Sequence, residues 1–305
     1  RALLEKLSAV DLVLVEGFKR EADPKLEVFR AVGGKPMLHP DDPNIVIAGS
    51  IGSSSGGGGN LLRFDRRTGQ QKLITVWPED QYGSPVKDVK YRFHFTYPVV
   101  LSPHDPDILY VTANKVFRST TQGNSWEVIS PDLTKNDQSK MQHIDGGPIT
   151  SQSFSSQYSS VIFAFAESRL KRGELWAGTD DGAIHLSRDA GKTWESVGPK
   201  GLPEWTIIST IEVSPHDAGT VYVAAHRYKL NDQRPYVFRT TDYGKTWQTI
   251  TSGIRANDYT RAIREDPVRR GLLFLGAQTG AYVSFDAGAS WQSLQLNLPV
   301  VPVHD

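Results

Sequence analysis

An eight-residue figure that occurs four times constrains this 305-residue chain more than any other feature. Three copies are near-identical in pattern: Ser187-Arg188-Asp189-Ala190-Gly191-Lys192-Thr193-Trp194, Thr240-Thr241-Asp242-Tyr243-Gly244-Lys245-Thr246-Trp247 and Ser284-Phe285-Asp286-Ala287-Gly288-Ala289-Ser290-Trp291. The fourth, Ser119-Thr120-Thr121-Gln122-Gly123-Asn124-Ser125-Trp126, lacks the acid. Each copy follows a short β-type run (Val116 to Arg118, Ile184 to Leu186, Tyr236 to Phe238, Ala281 to Val283) and leads into another, as a tight turn inside a hairpin does. Turn chemistry explains the residue types. An Asp carboxylate can accept hydrogen bonds from nearby backbone amides, and the Gly two positions on takes φ > 0 without steric cost. The hydroxyls satisfy further backbone groups. The Trp at the start of the outgoing run can bury roughly 150–250 Å², at most about 4–6 kcal/mol per copy. The acids are therefore read as structural.

Around these turns the chain is uniform from Asn60 onward. Leu61 to Asp65 and Gln71 to Trp77 bracket the turn Arg66-Arg67-Thr68-Gly69, a hairpin without the full figure. Four units of four short runs follow. Their first runs are Phe95 to Leu101, Val161 to Ala166, Ile207 to Val213 and Thr260 to Arg264, and each fourth run opens at the repeated Trp. The four tryptophans stand 68, 53 and 44 residues apart. Four-stranded units near that spacing are the signature of propeller blades. The expected fold is all-β, a partial propeller of four clear blades and one partial blade in an incomplete arc, preceded by a short α/β fragment.

The figure resembles the Asp-box, or bacterial neuraminidase repeat, of sialidases, xyloglucanase-type glycoside hydrolases and sortilin-type propellers. Phrases such as Leu175-Trp176-Ala177-Gly178-Thr179-Asp180-Asp181-Gly182 and Gly201-Leu202-Pro203-Glu204-Trp205 are similar to bacterial sortilin-like repeat proteins, over about residues 60–305. The resemblance implies a recognition propeller binding a protein or polysaccharide on the loop face opposite the turns. The alternative it carries is a glycoside hydrolase. On that face it places Arg92, His94, Asn114, Asp181, Glu204, Trp205, His226, Arg227, Tyr259 and Arg261, residue types that suit sugars or peptides. A glycosidase needs two facing carboxylates, for which Glu204 and Asp258 are the candidates. A sialidase would add an Arg triad, a Tyr nucleophile and usually Arg-Ile-Pro, a tripeptide the sequence lacks.

Residues 1–48 read differently. Asp11-Leu12-Val13-Leu14-Val15 is a continuous apolar run of the kind found in a buried parallel strand. The stretch from Asp11 through Glu16-Gly17-Phe18-Lys19-Arg20 to Gly34-Lys35-Pro36 resembles the C-terminal part of the molybdopterin-guanine dinucleotide biosynthesis protein B family, P-loop proteins that bind GTP. This implies a third function, in molybdenum-cofactor synthesis. No G-x-x-x-x-G-K-[ST] occurs, so Glu16, at the family's post-strand acidic position, has no phosphates to address and GTP binding is not expected. The expected division is a truncated remnant at 1–48, a Gly/Ser-rich seam at 49–59, and the propeller at 60–305, incomplete at its C-terminus. The propeller resemblance implies a secreted or periplasmic location, the other a cytoplasmic one.

Composition narrows the rest. Lys and Arg number 34 against 34 Asp and Glu, so net charge gives no argument for nucleic acid. There is no Cys, which removes disulfides, thiolate catalysis and Cys-based zinc sites together. No apolar run approaches the roughly 20 residues of a membrane helix. The eight His form neither H-E-x-x-H nor H-x-H, and His104 and His216, in matched Ser-Pro-His-Asp turns, read as capping groups. Asp180-Asp181-Gly182 lacks the remaining acids of a calcium loop. Gly191-Lys192-Thr193 and Gly244-Lys245-Thr246 lack the earlier Gly of a phosphate loop, so no cofactor or metal is expected.

Overall fold

The computed structural model describes residues 47–49, 61–65, 69–79, 88–94, 96–139, 160–295 and 297–304. Glu16 and the Gly/Ser run at 53–59 lie outside them. Five antiparallel sheets follow one another along the chain, each built in sequence order. The first has three strands, β1 (Ile47–Gly49), β2 (Leu61–Asp65) and β3 (Gln70–Leu73). The second holds β4 (Val99–Leu101), β5 (Leu109–Thr112), β6 (Val116–Ser119) and β7 (Glu127–Val128). The third holds β8 (Ile162–Glu167), β9 (Leu175–Thr179), β10 (Ile184–Ser187) and β11 (Glu195–Ser196). The fourth holds β12 (Ile207–Val213), β13 (Val221–Arg227), β14 (Asp232–Thr240) and β15 (Gln248–Thr249), with a 3-10 turn at Tyr228–Leu230 between β13 and β14. The fifth holds β16 (Thr260–Glu265), β17 (Leu273–Ala277), β18 (Ala281–Ser284) and β19 (Gln292–Ser293). This is a partial β-propeller, and each sheet is a blade.

One difference from expectation concerns the first blade. Ile47–Gly49, divided above between the remnant and the seam, pairs with Leu61 to Arg63. The blade therefore reaches back across the Gly/Ser run.

Strands alternate poorly because both faces of a blade are covered. β5, β9 and β18 are buried at every position, as a sheet packed between two others must be. Four apolar clusters lie between consecutive blades rather than within them. Ile108, Tyr110 and Ile129 meet Ile162, Phe165 and Leu175, for example, and Trp176, Ile184 and Leu186 meet Ile208, Ile211 and Val223.

The repeated turns fasten these blades. In the third blade both Asp189 carboxylate oxygens accept from Thr193, Oδ1 from its amide at 2.9 Å and Oδ2 from its hydroxyl at 2.6 Å. Ser187 Oγ donates to Asp189 and accepts the Gly191 amide at 2.9 Å. The same set recurs at Asp242 with Thr240, Gly244 and Thr246, and at Asp286 with Ser284, Gly288 and Ser290. In the acid-free copy the Thr121 hydroxyl takes the Ser125 amide at 3.0 Å and Ser119 still holds Gly123. The acid thus reaches four residues forward. The residue before each Gly is also left-handed, at Gln122, Ala190, Tyr243 and Ala287, with φ of 53°, 61°, 61° and 58°.

Each Trp then spans to the preceding blade. Its indole N–H donates to a main-chain carbonyl just past that blade's last strand: Trp126 to Ile74, Trp194 to Ile129, Trp247 to Val197 and Trp291 to Ile250. A Cβ on Gly123, Gly191, Gly244 or Gly288 would strike the same Ile74, Ile129, Val197 and Ile250. Glycine is required there by close approach as well as by φ.

A second fastening was not expected. Beyond the amide caps that Ser102 and Ser214 provide, the rings of His104 and His216 reach the next blade. His104 Nε2 lies 2.7 Å from the Ser168 carbonyl and His216 Nε2 lies 2.7 Å from that of Asp266, so each Nε2 carries the proton and donates. Ion pairs Arg172–Asp105 and Arg270–Asp217 flank them.

Candidate functional site

The face opposite the turns is shaped by a bulge that recurs in the innermost strand of three blades. Pairing slips between Ile162 and Ala164, between Ile208 and Thr210, and between Thr260 and Ala262. A bulge re-aims the unpaired side chain. The three residues so released are Phe163, Ser209 and Arg261. Phe163 meets the His94 ring at 5.1 Å, while His94 Nδ1 lies 2.8 Å from the Thr96 hydroxyl.

Arg261 organises the fifth blade's part of the face. Its Nη2 donates to the Tyr259 hydroxyl at 2.6 Å and to Gln278 Oε1 at 2.7 Å, and Tyr259 donates to the same Gln278 oxygen. Its guanidinium stands 4.8 Å from the Tyr259 ring centre and 5.4 Å from that of Tyr228, and those two rings stack at 4.8 Å. His226 adjoins both, 4.9 Å from Tyr228 and 5.9 Å from Tyr259. Burial first, and then Arg261, push the His226 pKa down to about 3, so it is neutral at physiological pH. Its Nδ1 is buried with no hydrogen-bond partner among the described residues. This aromatic and cationic group draws on two adjacent blades.

The loop between the third and fourth blades carries Glu204 and Trp205. Trp205 is half-buried with φ of 60°, an uncommon conformation for a bulky residue. The loop is held by Arg227 Nε, which donates to the Glu204 carbonyl at 3.2 Å. Arg227 also pairs with Asp232, which further accepts from Arg234 and Tyr236. Those bonds, Arg234 foremost, hold the Asp232 carboxyl well below its usual range.

Arg92, Asn114, Asp181 and Asp258 are committed to backbone or to neighbouring side chains. Arg92 Nη2 pairs with Asp132 at 2.7 Å and its Nε donates to the Ser160 carbonyl across the blade seam. Asn114 donates to Asp132 and accepts the Arg92 amide. Asp181 accepts from the Thr179 hydroxyl and the Lys135 amide. Asp258 is 1% exposed, with both oxygens taken by Thr279 and the Tyr282 hydroxyl. Glu204 is open to solvent and lies 3.6 Å from Lys135 Nζ. Asp180, which sequence reasoning did not propose, is a carboxyl of different character: burial pushes its pKa up to about 7 while Oδ1 accepts the Val161 amide. No sequence signal separated it from its neighbour Asp181. Among the described residues no three His, Asp or Glu come together as a metal-binding group, and no helix is long and apolar enough to cross a membrane.

Similarity to known proteins divides along the chain. Residues 1–50 match the family described as Molybdopterin guanine dinucleotide synthesis protein B. Those residues include β1, so the match and the first blade overlap. A xyloglucanase of Paenibacillus sp is 28% identical over 147 residues, which are 44% of this chain and 14% of that enzyme. The GH74 xyloglucanase of Xanthomonas campestris superposes on 81% of this chain and 36% of its own, with a TM-score of 0.54 at 17% identity. An ancestral GH74 enzyme superposes on 68% of this chain and 25% of its own, with a TM-score of 0.50 at 19% identity. The chain thus spans well under half the length of each of these relatives, and what it shares with the solved structures is the β-propeller fold.

Proposed function

We propose that the propeller is a recognition module that takes a polysaccharide across its loop face and does not itself cleave it. The observation that carries this reading is the stacked Tyr228–Tyr259 pair under Arg261, with Trp205 in a costly left-handed backbone on the loop that Arg227 ties to the blade of Tyr228. Aromatic faces with a few fixed polar groups suit sugar rings, and strained backbone clusters where a side chain must be presented. The repeated turns support the finer assignment to Asp-box, bacterial neuraminidase-type repeats of the sortilin-like kind, since acid, hydroxyls, Gly and Trp each have a fixed task. In this reading residues 1–48 are a remnant of a GTP-binding protein that does not bind GTP. Binding is tested by titrating xyloglucan and other soluble polysaccharides into the protein. Tyr228→Ala is expected to weaken the best ligand about tenfold, equivalent to about 1.4 kcal/mol, with thermal stability unchanged. Equal binding by wild type and variant would sink the reading.

A hydrolase is the second reading, favoured by the xyloglucanase similarity and by Asp180, a carboxyl that keeps its proton near neutrality as a general acid must. It needs a free carboxylate opposite, and the oxygens of Asp258 are all engaged. Release of reducing sugar from xyloglucan by the wild type, abolished in Asp180→Asn, would establish it over the first.

A further inference from the structure

Away from the loop face, a cavity of about 570 Å³ opens at the seam between the third and fourth blades. Its apolar wall is formed by Leu186, Phe238 and Trp247, and its rim by Arg188, Lys200 and Lys245. The corresponding seam between the fourth and fifth blades is filled. There Ser252 accepts the Trp291 amide at 2.8 Å, Gly253 lies against the Trp291 main chain, and Trp291 is buried. At the third seam the chain leaves β11 through Gly198-Pro199-Lys200, and Trp247 is only half-buried. A second, smaller cavity of about 290 Å³ also touches Trp247, beside Arg239 and Gln248.

We propose that the larger cavity is a binding site for a short acidic oligosaccharide of the uronate class, separate from the loop face. The size lies in the range of small-ligand pockets, about 300–1,000 Å³. The indole supplies a flat surface for a sugar ring, and Ser196, Thr246 and Thr249 supply hydroxyls around it. Three cations stand on the rim against one acid, Glu195, which pairs with Arg188 at 3.1 Å. The side chains of Lys200 and Lys245 make no ion pair or hydrogen bond among the described residues, so both ammonium groups are free to meet carboxylates. A peptide is the poorer fit, since β11 and β15 are two residues long and offer little edge for strand addition.

The test titrates trigalacturonate, neutral cellotriose and tri-glutamate into the full chain, following heat and Trp fluorescence. Trigalacturonate is expected to bind more tightly than either of the others, and more weakly as salt rises toward about 0.5 M. Lys200→Ala/Lys245→Ala is expected to lose at least tenfold in affinity at unchanged melting temperature, while Arg261→Ala binds trigalacturonate as wild type does. No binding up to about 10 mM, equal binding by the double lysine variant, equal affinity for cellotriose, or preference for tri-glutamate would each overturn the site. Loss of all binding in Arg261→Ala would move the acidic sugar to the loop face and overturn it as well.

Discussion

In each repeated turn two consecutive residues sit in the left-handed region, and only the second is glycine. Ala287, at φ of 58°, shows why the sequence pattern revealed one and hid the other. The position before glycine is Gln, Ala, Tyr or Ala across the four copies, with no shared preference for φ > 0. The acid's bonds to the fourth residue on, and the hydroxyl's to glycine, impose the conformation instead. Ala287→Gly trades relief of about 1–2 kcal/mol of strain against about 0.5–1 kcal/mol of unfolded-chain entropy, so its denaturant midpoint should move little. Gly288→Ala is expected to cost at least about 1–2 kcal/mol in the same measurement, because it adds backbone strain and a methyl group against Ile250. The acids also set a pH response. Bonds from Thr193, Thr246 and Ser290 hold the pKa values of Asp189, Asp242 and Asp286 down to about 2. A depressed carboxyl stabilises the fold above its unfolded pKa and loses that contribution as pH falls toward the folded value. The melting temperature should therefore drop between about pH 4 and pH 2. In a triple Asp→Asn variant at these positions that drop should shrink, whereas an unchanged slope would show the acids to be idle.

At the scale of the element, the joints between blades matter more than the strands, several of which are two residues long. The turns, the four-run units and their order were legible because hairpin turns have local chemistry. The joints were not, because their acceptors are carbonyls 41 to 65 residues away. A carbonyl leaves no mark in a sequence. The same holds for the histidine rings, whose partners Ser168 and Asp266 contribute only main chain. Trp291→Phe keeps most of the apolar surface and loses the bond to Ile250, so about 1–2 kcal/mol is expected in denaturant unfolding. Trp291→Ala should cost about 3–5 kcal/mol. A Phe variant as damaging as the Ala one would give the indole N–H a larger part than burial. On the loop face, the resemblance named a surface, and the sequence did not show which of its side chains are locked. Whether Arg92 or Arg261 is locked depends on Asp132 and Ser160 in one case and on a bulge in the other, and neither follows from local sequence.

Over the whole molecule, carboxyls whose pKa burial raises oppose the turn acids; among the described residues these are Asp180, Glu174 and the partly buried Glu212. Burial pushes Glu212 up to about 7, against the pull of Arg264 at 3.7 Å, and pushes Asp180 to about the same value. A carboxyl with a raised folded pKa binds its proton better when folded, so its contribution is complete below the unfolded pKa and is lost as pH rises through 7. These carboxyls lower stability as pH rises from about 4 to 7, while the depressed His226 acts in the opposite sense over the same range. Glu212→Gln should flatten the decline from pH 5 to 8 and gain about 1–3 kcal/mol at pH 8. A variant less stable than wild type at pH 8 would show that the ion pair with Arg264 outweighs burial.

The tail beyond β19 packs back onto the fifth blade. Val303 donates its amide to Ala277 at 2.9 Å and covers Gly276, as Ile162 of the third blade donates to Ala113 of the second at 2.7 Å and as Ile208 covers Gly178. Val303 thus covers the fifth blade where the opening strands of the third and fourth blades cover the second and third. Cutting the chain after Leu298 would strip that seal and leave a sticky sheet flank seeking a substitute, and light scattering should register the resulting self-association.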